Sequence, residues 1–222
     1  GTAILKCFDM TAAGTGLTEA AAKAAGFDYE KVYVFPPSHA TYYPNACEIS
    51  MKVLFTKDTG RILGAQLIGK DGVDKRCDVL ATAMRGNMTM FDLVHLELSY
   101  APPFSSAKDP VNIAGLAAEN ILTNKVDIFH YHDIASLNPE EVTLLDVRTV
   151  KEYGKSHIPD FINIPLDSLR DNLDKLDKSK PVYVTCLAGL RSYIACRILM
   201  QNGFTCKSLC GGYEIYCNVN IV

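Results

Sequence analysis

Hydrophobic and polar residues follow a strand-like pattern in three segments of the first half of the chain. Residues 29–35 alternate between the two classes, and residues 47–56 and 61–69 are rich in strand-forming apolar residues. The segment between the last two, residues 58–60, reads Asp-Thr-Gly, which is typical of a tight turn. The pattern predicts an antiparallel sheet in this half.

Helical segments accompany these strands. An alanine-rich helix is predicted over residues 18–25, and apolar residues recur at helical spacing over residues 73–85. A third helix is predicted from Pro110 to Asn124, since proline is tolerated in a first turn. Helices beside an antiparallel sheet make residues 1–125 an α+β domain.

After Lys125 short apolar strands alternate with helical stretches. Strands are predicted at residues 142–147, 182–185 and 204–209, with a helix at 192–202 between the last two. This order is typical of parallel βαβ units. Residues 126–222 are therefore predicted to form a second, α/β domain with a parallel sheet.

The composition indicates a folded chain without a charged macromolecular partner. The sequence is 48% hydrophobic and 21% charged, with a formal net charge of -3 and no run of lysine or arginine. These values argue against disorder and against nucleic acid as a partner. The sequence has no apolar stretch of bilayer-spanning length and no signal peptide at its N-terminus, so we expect a cytoplasmic protein without membrane contact.

The eight cysteines do not form a recognisable disulfide framework or metal site. No pair has C-x-x-C spacing, and the five histidines are not arranged as metal partners. Seven of the eight are expected to be buried thiols in a reducing compartment. Cys186 is the exception, because of the segment around it.

Residues 181–202 read as a buried strand, a six-residue loop and an amphipathic helix. A loop between the carboxyl end of a strand and a helix N-terminus presents its N–H groups to anions. That field, together with Arg191, favours the thiolate form of Cys186, and Gly189 allows the loop to curl. The candidate substrate-binding loop after Cys186 comprises Leu187, Ala188, Gly189, Leu190 and Arg191.

The size of this loop favours sulfur chemistry. Four residues separate Cys186 from Arg191, whereas cysteine phosphatases use a ring that is one residue larger to hold a phosphoryl group. A smaller ring suits a single sulfur atom transferred onto the cysteine as a persulfide. Phosphatase activity is therefore the disfavoured alternative.

The loop sequence CLAGLR resembles the active-site loop of the rhodanese sulfurtransferases. Further segments resemble rhodanese landmarks in the same order: LLDVRTVKEY at 144–153, HIPDFINIPL at 157–166, and the glycine pair at 211–212. The resemblance covers about residues 127–217. It implies a rhodanese-like fold with Cys186 as the catalytic nucleophile.

Three other residues near this loop carry expectations. Asp146 and Arg148 are expected to form a buried ion pair that orders the end of a strand and supports the site. Cys196, on the helix after the loop, is expected to be a structural thiol. Whether it instead resolves an oxidised Cys186 is left open by the sequence.

Residues 61–82 and 99–113 resemble the C-terminal dimerisation domain of flavin-dependent pyridine nucleotide-disulfide oxidoreductases, in the coenzyme A-disulfide reductase and NADH oxidase branch. Some members of that branch carry a C-terminal rhodanese domain. The resemblance implies a homodimer formed through residues 1–125. It also matches Tyr42 and Tyr100 to tyrosines that serve the substrate thiol or thiolate, whereas the alternative for a loop tyrosine is to pack its ring on apolar surface.

No G-x-G-x-x-G motif follows a strand and opens a helix in this sequence. We therefore expect this chain alone to bind neither FAD nor a nicotinamide. The reactive cysteine that the reductases carry near their N-terminus is also missing. The resemblance implies the C-terminal portion of a larger FAD- and NAD(P)H-dependent flavoprotein, expressed or encoded alone.

Two functions follow from these observations. In the first, Cys186 takes a sulfur atom from thiosulfate, a polysulfide, a persulfide or a CoA-type donor and passes it to a thiol or to cyanide. In the second, the chain is a non-catalytic dimerisation and interaction module with an unused rhodanese fold. The sequence identifies neither the donor nor the acceptor.

Overall fold

The computed structural model describes residues 1–220, which fall into two compact units. The first unit is Gly1–Leu122 and the second begins at Thr123. Within the described residues, no helix has the length and apolar character needed to cross a membrane.

The first unit is built on a five-stranded antiparallel sheet. Its strands are β1 (Thr2–Cys7), β2 (Met10–Gly16), β3 (Tyr29–Val34), β4 (Ile49–Thr56) and β5 (Ile62–Gly69). The order across the sheet is β1-β2-β5-β4-β3. The turn predicted between β4 and β5 is present, and Asp58 accepts the Thr59 N–H at 2.7 Å there. The antiparallel sheet predicted for this half of the chain is confirmed.

Four helices accompany this sheet: α1 (Glu19–Ala24), α2 (Val73–Arg85), α3 (Met90–Val94) and α4 (Pro110–Leu122). The Thr18 side chain caps α1 by accepting the Ala21 N–H at 3.2 Å. Helix α2 lies on β2 and β5 and buries Leu80 completely. Helix α3 was not predicted; it is a single short turn that begins with a capping box between Thr89 and Asp92.

The second unit contains a five-stranded parallel sheet. Its strands are β6 (Asp127–Phe129), β7 (Thr143–Asp146), β8 (Ile162–Asn163), β9 (Val182–Thr185) and β10 (Cys206–Leu209), in the order β6-β10-β9-β7-β8. The helices are α5 (Val150–Lys155), α6 (Leu190–Gln201) and α7 (Gly212–Val219), with 3-10 segments at Tyr131–Ser136 and Leu166–Lys175. Its core includes Phe129, Leu144, Ile158, Phe161 and Leu209. The predicted α/β architecture is confirmed.

The topology of this sheet defines where a site can form. The chain leaves β7 toward the β8 edge and leaves β9 in the opposite direction, toward β10. A crevice opens at the carboxyl ends of parallel strands where the direction reverses in this way. Asp146, the last residue of β7, lies opposite Thr185, the last residue of β9. Cys186 follows Thr185 directly and therefore lies at this crevice.

Glu19 of α1 forms ion pairs with two lysines of the first unit. Its carboxylate accepts hydrogen bonds from Lys31 and Lys52, and Tyr29 donates to it at 3.2 Å. Burial raises the pKa of Glu19, but the bonds from the two lysines outweigh it and bring that pKa from 4.5 to about 2.

A lowered carboxyl pKa stabilises the fold above the unfolded-state value, and the stabilisation is lost as the pH falls through the folded-state value. We therefore expect wild type to be more stable than Glu19→Gln at neutral pH, with the difference shrinking between pH 4.5 and about pH 2. Urea unfolding across that range measures the difference. A gap between the two proteins that stays constant with pH would show that Glu19 is not the titrating group.

Candidate active site

Cys186 lies directly after β9 and is almost completely buried, with 1% of its surface exposed. Helix α6 begins four residues later, with Gly189 as the residue before its first turn. Gly189 adopts a φ of 107°, in the region that glycine tolerates at little cost. This conformation directs the Gly189 N–H to the Cys186 sulfur at 3.1 Å. The sulfur therefore sits where the positive end of the helix field acts.

Helix α7 supports the loop from the other side. The N–H groups of Tyr213 and Glu214 donate to the carbonyl oxygens of Cys186 and Leu187 at 2.7 and 2.9 Å. These amides belong to the first turn of α7, where they have no partner inside the helix. The start of α7 thus fixes the loop through the loop's backbone.

Two buried serines complete the surroundings of the sulfur. The Cys186 thiol donates to the Ser192 hydroxyl at 3.5 Å, and Ser192 donates to the Gly189 carbonyl at 2.9 Å. Ser208 of β10 donates to Ser192 at 2.8 Å. Because a hydroxyl can rotate between accepting and donating, Ser192 can serve Cys186 as thiol or as thiolate.

The last residue of the loop, Arg191, is engaged by Glu152 of α5. Its two terminal nitrogens donate to the two carboxylate oxygens at 2.8 and 2.7 Å. The hydrogen bond to Glu152 raises the pKa of Arg191, against the effect of burial, and the nearby Cys186 adds to the increase. The hydrogen bonds of the guanidinium therefore go to Glu152.

The predicted ion pair at the end of β7 is present. Arg148 donates to Asp146 through two of its nitrogens, the shorter contact being 2.7 Å, and both residues are buried. Arg148 also donates to the Ser156 carbonyl at 2.8 Å and stacks 4.0 Å from the ring centre of Tyr213. The pair thus ties the end of β7 to α7, which in turn fixes the Cys186 loop.

Cys196 is fully buried in α6. The Cys206 sulfur lies 3.5 Å from the Cys196 carbonyl oxygen. A hydrogen bond with Cys206 and burial raise the pKa of Cys196. A thiol that is both buried and held in its neutral form is a poor nucleophile, which favours the structural role.

In the first unit, the structure brings Tyr42 and Tyr100 together. Their hydroxyl groups lie 3.0 Å apart, although 58 residues separate them in the sequence. The side chains are 75% and 49% exposed. The hydrogen bond from Tyr100 raises the pKa of Tyr42. The two phenols form a paired donor site open to solvent.

The Glu152–Arg191 pair, the two serines and the bonds from α7 to the loop were not predicted from the sequence. The position of Glu152 in the first turn of α5 could have been predicted, because Thr149-x-x-Glu152 is a capping-box pattern and the capping box is present. Nothing in the local sequence indicates Ser192 or Ser208. Between residues 1 and 220 there is no group of three or more His, Cys, Asp or Glu side chains suited to a metal ion.

Family models match most of the chain. Residues 2–111 match the pyridine nucleotide-disulphide oxidoreductase dimerisation domain, and residues 134–218 match the rhodanese-like domain. Over 119 residues the chain is 42% identical to coenzyme A disulfide reductase of Staphylococcus epidermidis. That match covers 54% of this chain and 27% of the relative.

Two solved structures are similar over nearly the whole chain. Reduced CoADR-RHD of Bacillus anthracis is 49% identical with a TM-score of 0.96, over 99% of this chain and 39% of that one. An NAD-dependent persulfide reductase from A. fulgidus is 40% identical with a TM-score of 0.84, over 95% of this chain and 38% of that one. The chain thus spans well under half the length of these relatives. It consists of a dimerisation domain of the pyridine nucleotide-disulphide oxidoreductases, similar to that of coenzyme A disulfide reductase, followed by a rhodanese-like domain.

Proposed function

We propose that the rhodanese-like unit is a sulfurtransferase in which Cys186 carries the sulfur atom as a persulfide. The observation that supports this most directly is the position of the Cys186 sulfur, buried before the first turn of α6 and 3.1 Å from the Gly189 N–H. A backbone N–H at this place stabilises negative charge on sulfur without a side-chain cation. The same donor would stabilise the outer sulfur of a persulfide.

The transfer follows a simple displacement. The Cys186 thiolate attacks the sulfane sulfur of the donor, a new S–S bond forms on Cys186, and the bond to the rest of the donor breaks. The electron pair of that bond leaves with the donor remnant as a thiolate or, from thiosulfate, as sulfite. An acceptor thiolate or cyanide then attacks the outer sulfur and restores Cys186.

We further propose that the complete protein is a homodimeric disulfide or persulfide reductase that uses this unit as its sulfur carrier. Relatives that carry the same dimerisation domain are named coenzyme A disulfide reductase and NAD-dependent persulfide reductase. FAD and NAD(P)H would supply the electrons, bound by parts of such relatives that this chain does not span. The exposed hydroxyl pair of Tyr42 and Tyr100 would donate hydrogen bonds to a substrate thiolate there.

Mass spectrometry of the whole chain tests the sulfurtransferase proposal. After incubation with a sulfane donor, we expect wild type to gain the mass of one sulfur on Cys186 and to lose it on addition of cyanide. Cys186→Ser should gain none there and should transfer no sulfur to cyanide above the uncatalysed rate.

The matched control is Cys217→Ser, which removes an exposed cysteine of the same unit and should behave as wild type. An unmodified Cys186 in wild type, with cyanide-dependent turnover that survives Cys186→Ser, would rule out the proposal.

A further inference from the structure

The side chains of the Cys186 loop, residues 187–191, are apolar apart from that of Arg191. We call the exposed part of this loop its mouth. Leu187 and Leu190 expose 41% and 71% of their surface. Between them stand Ala188 and Gly189, which carry no polar side chain. Arg191 is thus the one charged side chain of the loop. Whether an anionic sulfur donor gains an ion pair from this loop depends on whether Arg191 is already bound to another group.

Arg191 is held by a carboxylate that is itself fixed. Glu152 receives both terminal guanidinium nitrogens. One of its oxygens also accepts the Thr149 backbone N–H at 2.9 Å and the Thr149 hydroxyl at 2.7 Å. A two-point ion pair on a capped helix is more rigid than one between two free surface side chains. The loop therefore presents a neutral pair and no free cation.

The other arginine near the crevice is neutralised in the same way. Arg148 is bound to Asp146 and covered by Tyr213. Both arginines are thus paired, and the other exposed side chains of the loop include Leu187 and Leu190. This surface suits a sulfur atom on an organic group better than one on an oxyanion, because an oxyanion loses its hydration there without gaining an ion pair.

Building on the sulfurtransferase function proposed above, we propose that Glu152 is a positioning residue that sets donor selectivity by holding Arg191. With the pair intact, the loop favours organic persulfides over thiosulfate. From an organic persulfide, the outer sulfur joins Cys186 and a thiolate leaves beside the leucines. From thiosulfate, the outer sulfur joins Cys186 and sulfite leaves with two negative charges while Arg191 is bound to Glu152.

The test compares kcat/KM for thiosulfate and for the persulfide of 2-mercaptoethanol in the whole chain. Glu152→Gln removes the charge and keeps a side chain that can form a capping box. We expect the ratio of kcat/KM for thiosulfate to kcat/KM for the organic persulfide to rise about fivefold to tenfold. The gain should fade near 1 M salt, where the screening length is about 3 Å.

Glu141→Gln is the matched control. It removes the same charge from an exposed residue of the same unit, just before β7 and so at the opposite end of that strand from the site. We expect its ratio to equal that of wild type. A similar rise in Glu141→Gln would assign the effect to net charge and overturn the role of Glu152.

Arg191→Gln gives an independent measurement if Glu152→Gln folds poorly. It leaves the Glu152 carboxylate at the mouth without Arg191, so the ratio of kcat/KM for thiosulfate to that for the organic persulfide should fall. In the double variant Glu152→Gln/Arg191→Gln this ratio should return toward the wild-type value. Unchanged ratios in the single variants, with Cys186 still loaded by both donors, would refute the selectivity role alone. If neither donor loads Cys186, the sulfurtransferase function itself fails.

Discussion

Replacing Gly212 with alanine is expected to disable the Cys186 loop. A Cβ atom at this position would lie 2.6 Å from the carbonyl oxygens of both Cys186 and Leu187, and 2.8 Å from the Leu187 carbonyl carbon. These are backbone atoms, which cannot rotate away as a side chain would. The residue also has a φ of 60°, which costs an alanine about 1–2 kcal/mol.

The clash falls on the contacts that hold the loop. The Tyr213 N–H reaches the Cys186 carbonyl at 2.7 Å only because α7 begins with a residue that has no side chain. We expect Gly212→Ala to lower the free energy of unfolding of this unit by about 3 kcal/mol or more. Persulfide formation on Cys186 should fall by a hundredfold or more, since small displacements of a reacting group cost about that much.

Gly203→Ala separates backbone strain from the clash. Gly203 has a φ of 81°, and a Cβ there would meet nothing within 4 Å. It should therefore lose about 1 kcal/mol of stability and keep its rate of sulfur transfer. Denaturant unfolding and a cyanide assay on both variants decide the point. If Gly212→Ala behaves like Gly203→Ala in both, the start of α7 does not hold the loop.

The strand, loop and helix around Cys186 were predictable because each signal is local. The strand reads as a short apolar run, and α6 carries apolar residues at helical spacing. The β1–β2 hairpin gave no such signal. All six residues of β1 are exposed, including Ile4 and Leu5, so no burial pattern shaped their sequence. Pairing of the edge strand β1 with β2 through the backbone produces this hairpin.

In the site, too, contacts between residues near in sequence were predictable and contacts between distant residues were not. The ion pair of Asp146 and Arg148 spans two residues, and its partners could be paired from the sequence. Glu152 and Arg191 are 39 residues apart, and they meet only because β7 and β9 are neighbours in a parallel sheet. The order of strands fixes such contacts, and local patterns carry little information about that order.

Arg76→Met is expected to be the most destabilising single change in the first unit. Arg76 is 1% exposed, and it donates to Asp109 at 2.9 Å and to the Ser38 carbonyl at 2.8 Å. Methionine fills similar space but leaves the Asp109 carboxylate buried without its main partner. Removing one member of a buried ion pair costs about 3–5 kcal/mol. Thermal and urea unfolding should show the loss.

Two further variants identify the cause. Arg85→Met removes an exposed arginine from the same helix and should change stability by less than about 0.5 kcal/mol. Adding Asp109→Asn to Arg76→Met should recover part of the loss, because the unpaired charge disappears while the amide oxygen still accepts the Val111 N–H. Equal losses in the single and double variants would mean that packing, and not charge, explains the effect.

The dependence on pH gives an independent check of the same charge. Burial raises the pKa of Asp109, but the hydrogen bonds from Arg76 outweigh it, so the pKa in the fold lies below the ordinary value of 3.8. The ion pair therefore stabilises wild type fully above the ordinary pKa of 3.8, and this stabilisation is lost as the pH falls through the lower, folded-state pKa. In Arg76→Met burial acts without its main counterweight, so Asp109 protonates at higher pH and the unpaired charge disappears. The gap in stability between wild type and Arg76→Met should consequently narrow as the solution becomes acidic, whereas a loss caused by packing alone would keep the gap constant.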